Sequence, residues 1–212
     1  MSKPKTTSSF PLIAHLQECV QRRDAGALAD LRSGLGKAPG TASRMFPHVV
    51  PYLGGVHEAH EQWYYLVATL FAQWHQSQLG KEEGQETPLN SQGREAKSRR
   101  NFGESLAELV ADNPDQSKSL DRRVVALLNS HPDDLPVHLR HMVSLLRGQR
   151  VSIDWQVLLA DLPRWGYDDR PVQRAWARSY WRDRAETEGS EASQPDDEPP
   201  SEEEEADAEE AD

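Results

Sequence analysis

The chain has 212 residues, enough for one domain or two small ones with tails and too few for a large multidomain enzyme. Its formal charge of -11 is unevenly placed: Glu186 to Asp212 holds 14 of the 35 acids and none of the 24 bases, which leaves 24 bases against 21 acids, or +3, on residues 1–185. The acidic average therefore does not exclude a polyanion partner, whereas a lone cysteine, Cys19, and the lack of any apolar run near the ~20 residues of a membrane helix exclude a disulfide framework, a cysteine-built zinc ribbon and a membrane span.

Strand-like alternation is scarce, and apolar residues recur at three- and four-residue spacing almost throughout, so the chain reads as all-α. A first helix is expected from Ser9 as cap, with Pro11 near its first position and Ile13, Leu16 and Val20 on one face. A short second helix carries Leu28 and Leu31 and stops at Gly34 and Gly36. After the KAPGT loop (37–41), Met45, Phe46, Val49, Val50 and Leu53 form an apolar face that Pro47 and Pro51 should kink or break. A long helix follows from Glu58 to about Gln78, with Tyr64, Val67, Leu70, Phe71 and Trp74 at core spacing.

Residues 80–100 lack aromatic and β-branched aliphatic side chains and are rich in Gly and charge, which predicts a mobile loop between two helical halves, 1–79 and 101–185. Four more helices are anchored by Leu106 and Leu109; by Leu120, Val124, Leu127 and Leu128; by Leu139, Met142, Val143 and Leu146; and by Trp155, Leu158 and Leu162. A last helix is predicted from about Pro171 to Arg184, with Trp176 as its core anchor. Each half alone has a thin core, so the halves are expected to pack together. Residues 186–212 form an acidic low-complexity tail expected to be disordered. The start MSKPKTTSSF lacks the apolar stretch of a signal peptide, and a reducing cytoplasm is the expected location.

The sharpest charge pattern is at the C-terminal end of the body. Arg170, Arg174, Arg178 and Arg182 recur every fourth residue, which on a helix places four guanidiniums along one stripe. Such a stripe fits a solvated face, a phosphate track or a contact with an acidic protein surface. Arg122 and Arg123 after Lys118, then Arg140 and Arg147 one helix on, make a second basic set, and Arg140, Ser144 and Arg147 share a face. The loop adds Arg94, Lys97, Arg99 and Arg100. Together these cations favour a nucleic-acid backbone more than any one of them does.

Other chemistries lack their residues. His57-Glu58-Ala59-His60 is one residue short of a helical HExxH site, and His138 with His141 has no third ligand, so surface or capping roles are expected and no cofactor. LGKAPGT (35–41) is not a phosphate-binding P-loop, because Lys37 precedes the second glycine, Gly40. Trp155, Trp165 and Trp181 could stack on bases, but their spacing suits a core. No catalytic constellation emerges, and a non-enzyme is expected.

Several segments in order carry a further signal: Ala27-Leu28-Ala29-Asp30-Leu31-Arg32-Ser33-Gly34-Leu35-Gly36, Met45-Phe46-Pro47, Val50-Pro51-Tyr52, and Asn101-Phe102-Gly103-Glu104-Ser105-Leu106. The second half adds Ser119-Leu120-Asp121-Arg122-Arg123, Leu127-Leu128, Leu135-Pro136-Val137-His138-Leu139-Arg140, Ser144-Leu145-Leu146-Arg147 and Ile153-Asp154-Trp155, leading to Asp161-Leu162 and Trp165. In their order and spacing these resemble the CasB family, the small subunit of the type I-E CRISPR Cascade complex, over most of residues 10–183.

The resemblance implies an all-α subunit without a catalytic centre, present as a homodimer beside CasA, CasC, CasD and CasE with the CRISPR RNA. Its implied task is to stabilise the R-loop by binding the displaced non-target strand of the target DNA and buttressing the guide–target duplex. Carried onto this chain, Arg32, Arg122, Arg123, Arg140 and Arg147 match basic positions of the family motifs; Arg99, Arg100, Arg170, Arg174 and Arg178 rest on the helical reading. The long loop and the acidic tail depart from the family core. The alternative is a free-standing helical adaptor whose arginine faces dock acidic proteins.

Overall fold

Pro11 opens the first helix, α1 (Pro11–Gln21), because its missing N–H is one that a first turn leaves unbonded anyway. The structure, a computed structural model, describes residues 10–78, 99–111 and 114–191. Phe10, in extended backbone and without a side-chain cap bond, occupies the N-cap position expected for Ser9, which lies outside the described residues. Leu12, Ile13, Leu16 and Cys19 are buried, while Val20 is only half-buried, so the apolar face is turned slightly from the expected one.

Asp24 caps α2 (Ala25–Arg32), its Oδ1 accepting from the Ala27 N–H at 2.9 Å. Pro47 and Pro51 break the next segment as expected: the four-residue helix α3 (Phe46–Val49) stands between 3-10 turns at Ser43–Met45 and Val50–Tyr52. Met45 and Val49 face the core, but Phe46 and Val50 do not, because the breaks rotate the expected single face.

The helix α4 (Glu58–Trp74) is the centre of the fold. His57 Nδ1 accepts from the Ala59 N–H at 3.2 Å at its N-terminus, the capping role expected of that histidine. Every residue from Tyr65 to Gln73 is buried, including Ala68, Thr69, Ala72 and Gln73, which lie outside the face the periodicity picks out. The reason is tertiary: α1 and α2 pack on one side of α4, and α7 (Leu135–Gly148) and α8 (Trp155–Asp161) pack against it as well. A helix enclosed in this way shows no clean amphipathic stripe.

Two further helices precede α7, namely α5 (Phe102–Ala111) and α6 (Ser117–Leu128), and α9 (Pro171–Glu191) closes the described chain. Among the described residues there is no strand, and the fold is all-α. One apolar core runs through both halves. Of the loop expected over 80–100 only residues 99 and 100 are described, and of the acidic tail only the stretch to Glu191, where α9 continues beyond its expected end near Arg184. The chain divides into two units, Met1–Trp181 and Arg182–Asp212, and the second is described only as that helical continuation.

The C-terminal half of the first unit is organised around tryptophans. Trp176 lies with its ring centroid 5.1 Å from those of both Phe102 and Trp165, and its Nε1 donates to Asp161 Oδ2 at 2.8 Å. Trp165 Nε1 donates to the Ser130 carbonyl at 3.2 Å. Burial pushes the Asp161 carboxyl up from its usual range, opposed by the bonds from Trp176 and from Arg164, whose Nη2 is 2.6 Å from Asp161 Oδ1. Trp155 and Trp165 are core residues, with no ring face available to a base.

Helix α5 reaches this cluster through Asn101-Phe102-Gly103. Asn101 Oδ1 accepts from the Glu104 N–H at 3.1 Å, capping the helix, and its Nδ2 donates to Ser179 Oγ at 2.8 Å. A Cβ on Gly103 would sit 2.7 Å from the Trp176 Cα and closer still to its carbonyl oxygen. Gly103→Ala, which in an open helix would stabilise by about 1 kcal/mol, should here destabilise by about 3 kcal/mol through overpacking against backbone. Urea denaturation measures this, and the sign of the change decides whether α5 and α9 approach so closely.

A second expectation concerns acid. His15 stacks on Tyr52 at 5.0 Å and on His48 at 6.0 Å, and lies 3.7 Å from Cys19 Sγ. Burial, then the neighbouring His48, hold its imidazole below the ordinary value, with Arg22 acting the same way and Glu18 and Asp24 opposing. The unfolded chain then binds the proton more readily, so the contribution of His15 to stability is full above about pH 6.5 and is lost as pH falls through the lowered folded value. Denaturation midpoints at pH 7.5 and 5 should differ less for His15→Gln than for the wild type; an equal difference would remove His15 as the source.

Candidate nucleic-acid interface

The expected basic residues separate into those the fold itself uses and those it leaves pointing outward. Arg147 Nη1 donates to the Gln73 carbonyl at 2.9 Å, closing the C-terminal turn of α4, while Gln73 Nε2 donates to Ser144 Oγ at 2.7 Å. Arg100 donates to the Glu104 carbonyl at 3.0 Å and pairs with Glu108. Arg170 stands before the first residue of α9 at φ +49 and so does not belong to the helical stripe; its guanidinium turns back to the Leu128 carbonyl, with Asn129 Oδ1 at 3.4 Å. Arg32 is half-buried at the end of α2, and its Nη1 is buried without a hydrogen-bond partner.

The outward set lies on α6 and α9. Two side-chain bonds link these helices in an antiparallel sense: Arg170 to the Leu128 carbonyl at one end, and Tyr180 Oη to Asp121 Oδ1 at 2.8 Å at the other. On α9, Arg174 and Arg178 flank buried Trp176 at two residues on either side, which places them about 160° round the helix from it, toward solvent. On α6, Arg122 stands in the same relation to buried Val124, and Lys118 and Arg123 are also exposed. The Arg122 Nε donates to its own helix at the Lys118 carbonyl, 3.3 Å away. Among the described residues no acid pairs with Arg122, Arg123, Arg174 or Arg178.

Arg123 also borders a groove of about 160 Å3 against Ser119, Ser144 and Gly148. Arg140 is separate from this surface: it lines a larger groove beside the Gly34–Gly40 loop. Arg99 is exposed ahead of α5. The pairing of α6 with α9 is what sequence reasoning missed, since fifty-odd residues separate the two basic sets and no local pattern links them. Among the described residues no group of three or more His, Cys, Asp and Glu could hold a metal ion, and no helix is long and apolar enough to cross a membrane.

A family model described as CRISPR-associated protein Cse2 matches residues 27–181, the span that holds Arg122, Arg123, Arg140, Arg147, Arg174 and Arg178. The chain belongs to the Cse2 family. A Cse2 protein of Thermus thermophilus is 31% identical over 163 residues, covering 76% of this chain and 82% of that relative. Among solved structures, the CasB of M. ruber is 34% identical with a TM-score of 0.63, covering 84% of this chain and 95% of that one. A chain of a CRISPR RNA-guided surveillance complex is 32% identical with the same TM-score of 0.63, covering 85% of this chain and 99% of its own. The resemblance to CasB read from the sequence is thus correct, and among the described helices α1 lies wholly outside the matched span.

The division of the arginines has a measurable consequence. Arg147→Ala removes a charged donor from a half-buried helix end and should cost about 1–2 kcal/mol of stability. Arg174→Ala should stay within about 0.5 kcal/mol. Thermal or urea unfolding of the two variants checks this, and equal destabilisation would contradict the assignment of Arg147 to the scaffold and Arg174 to a free surface.

Proposed function

We propose that this Cse2 chain is a non-catalytic small subunit of an RNA-guided CRISPR complex of the Cascade type, and that it stabilises the R-loop by binding the displaced non-target DNA strand and supporting the guide RNA–target DNA duplex. Its partners are then CasA, CasC, CasD, CasE, the CRISPR RNA and a second copy of the chain. Support comes from the relatives found in a CRISPR RNA-guided surveillance complex and in a pre-nicking form of one. The observation that carries the reading is the set of exposed guanidiniums of Arg122, Arg123, Arg174 and Arg178, which no acid among the described residues pairs with, on two helices joined by hydrogen bonds.

Guanidiniums on helices bind phosphates without reading bases, and their planar fork loses less entropy per hydrogen bond formed than a lysine does. Sequence choice belongs to guide pairing, and R-loop formation is close to balanced, so a few phosphate contacts suffice to tip it. A body with a net charge of +3 on residues 1–185 binds nucleic acid weakly alone, and the complex supplies placement.

The test replaces Arg122, Arg123, Arg174 and Arg178 with Ala in the assembled complex and measures target affinity against salt, for a matched target and for one with a seed mismatch. For every phosphate of a single strand that is no longer neutralised, the log K against log salt plot should flatten by about 0.7, while discrimination against the mismatch stays unchanged. A slope equal to that of the wild type in a normally assembled complex would remove these four arginines from the displaced strand.

A further inference from the structure

Between the Gly34–Gly40 loop, α4 and the start of α7 lies an open groove of about 440 Å3. Its lining is mixed: Lys37, Gln62, Asp133 and Arg140 contribute polar groups, while Tyr65, Pro132, Pro136 and Val137 contribute apolar ones. Val137 is 46% exposed, and Phe46, whose ring meets Tyr65 edge-on at 6.1 Å, is 40% exposed. Large apolar side chains left open beside one concavity mark a surface that another molecule covers.

Charge narrows the choice of occupant. Arg140 stands one turn beyond Pro136 and Val137, and its Nη1 lies 3.4 Å from the place a Cβ would take on Gly36, a residue at φ +75. The positive φ is what asks for glycine at position 36, and the Arg140 guanidinium lies in van der Waals reach of that turn. Arg140 forms no hydrogen bond or ion pair with any described residue. Lys37 lines the same groove and is exposed. The one acid in the lining, Asp133, has its carboxylate 3.3 Å from His131 Nδ1. Two cations with no acid partner among the described residues are therefore set beside exposed apolar side chains.

We infer that this groove docks a protein segment that presents a carboxylate between apolar side chains, supplied by another protein subunit of the complex; the inference rests on the function proposed above. Such a segment satisfies both features at once. Its carboxylate accepts from the Arg140 guanidinium in a charge-assisted pair, and its apolar side chains cover Val137 and the proline faces. A sugar-phosphate strand would meet the cations but leave the exposed apolar side chains facing polar atoms, and the Tyr65 ring, 7% exposed, offers no platform for a base. Arg140 is thereby assigned to assembly, apart from the cations of α6 and α9.

The experiment uses the full chain in a complex reconstituted from all of its protein subunits and guide RNA. With p-benzoylphenylalanine replacing Val137, irradiation should join the chain to a different protein subunit, at a stretch that contains Asp or Glu. Arg140→Glu should lower incorporation into the complex at least tenfold, Val137→Asp should lower it as well, and changing the crosslinked partner's carboxylate to Lys should restore the Arg140→Glu chain. Circular dichroism melts confirm that both variants fold. Crosslinking to nucleic acid or to a second copy of the chain, or normal incorporation of folded Arg140→Glu and Val137→Asp, overturns the inference while leaving the proposed function standing. A wild-type chain that does not join the complex brings both down.

Discussion

The burial of α4 on all sides from Tyr65 to Gln73 is the constraint from which the arrangement of the molecule derives. A helix shut away from water at its C-terminal turn must find donors for its last carbonyls within the protein, because an unpaired buried carbonyl costs more than the net worth of the bond it lacks. Arg147 meets that need at Gln73, and the Gln73 amide in turn holds Ser144, so two residues of α7 are tied to one residue of α4. The rotation of α7 about its axis is set by these bonds together with its buried face of Leu139, Met142, Val143 and Leu146. Arg140, on the same side of α7 as Arg147, is consequently directed along α4 toward the glycine loop instead of outward.

The same logic of satisfying buried polar groups sorts the other arginines. Arg170 leaves the helical pattern because its guanidinium serves the carbonyl end of α6, and a positive φ at a residue with a side chain is tolerated where surrounding bonds hold it. Its reach to Leu128, with the Tyr180–Asp121 bond, sets α9 along α6. The set that remains facing solvent is defined by subtraction: cations that no helix end and no acid requires. A count of basic residues would weight Arg147 and Arg174 alike, whereas one is part of the scaffold and the other is available to a partner.

A second polar centre, around Asp161, anchors α9 from within. Its carboxylate accepts from the Trp176 indole and pairs with Arg164, which offsets the burial that raises its pKa. The close approach of Gly103 to the Trp176 backbone completes the junction, and Asn101 spans it by capping α5 while bonding Ser179. The backbone that carries Arg174 and Arg178 is held from its opposite face by these contacts, which, on the function proposed above, spares a phosphate-binding surface the cost of ordering its helix.

Periodicity and proline by themselves determined the all-α class, the breaks at Pro47 and Pro51 and the core role of Trp176, while the order of quoted motifs carried the resemblance to the family. These are local or linear properties, set by spacing along one helix or by a residue's own backbone. The core spacing of α4 does not include Thr69 and Gln73, which are polar by type and buried only through the helices that surround them. The arginine roles were undecided for a related reason: whether a guanidinium meets solvent, a carbonyl or an apolar groove depends on what a distant segment places opposite it. Arg147 faces Gln73, Arg170 faces Leu128 and Arg140 faces Gly36, each across a separation that no helical repeat encodes. Only the tertiary packing, by bringing carbonyl ends and helix faces together, decided which of these like-charged residues holds the fold and which is left for a partner.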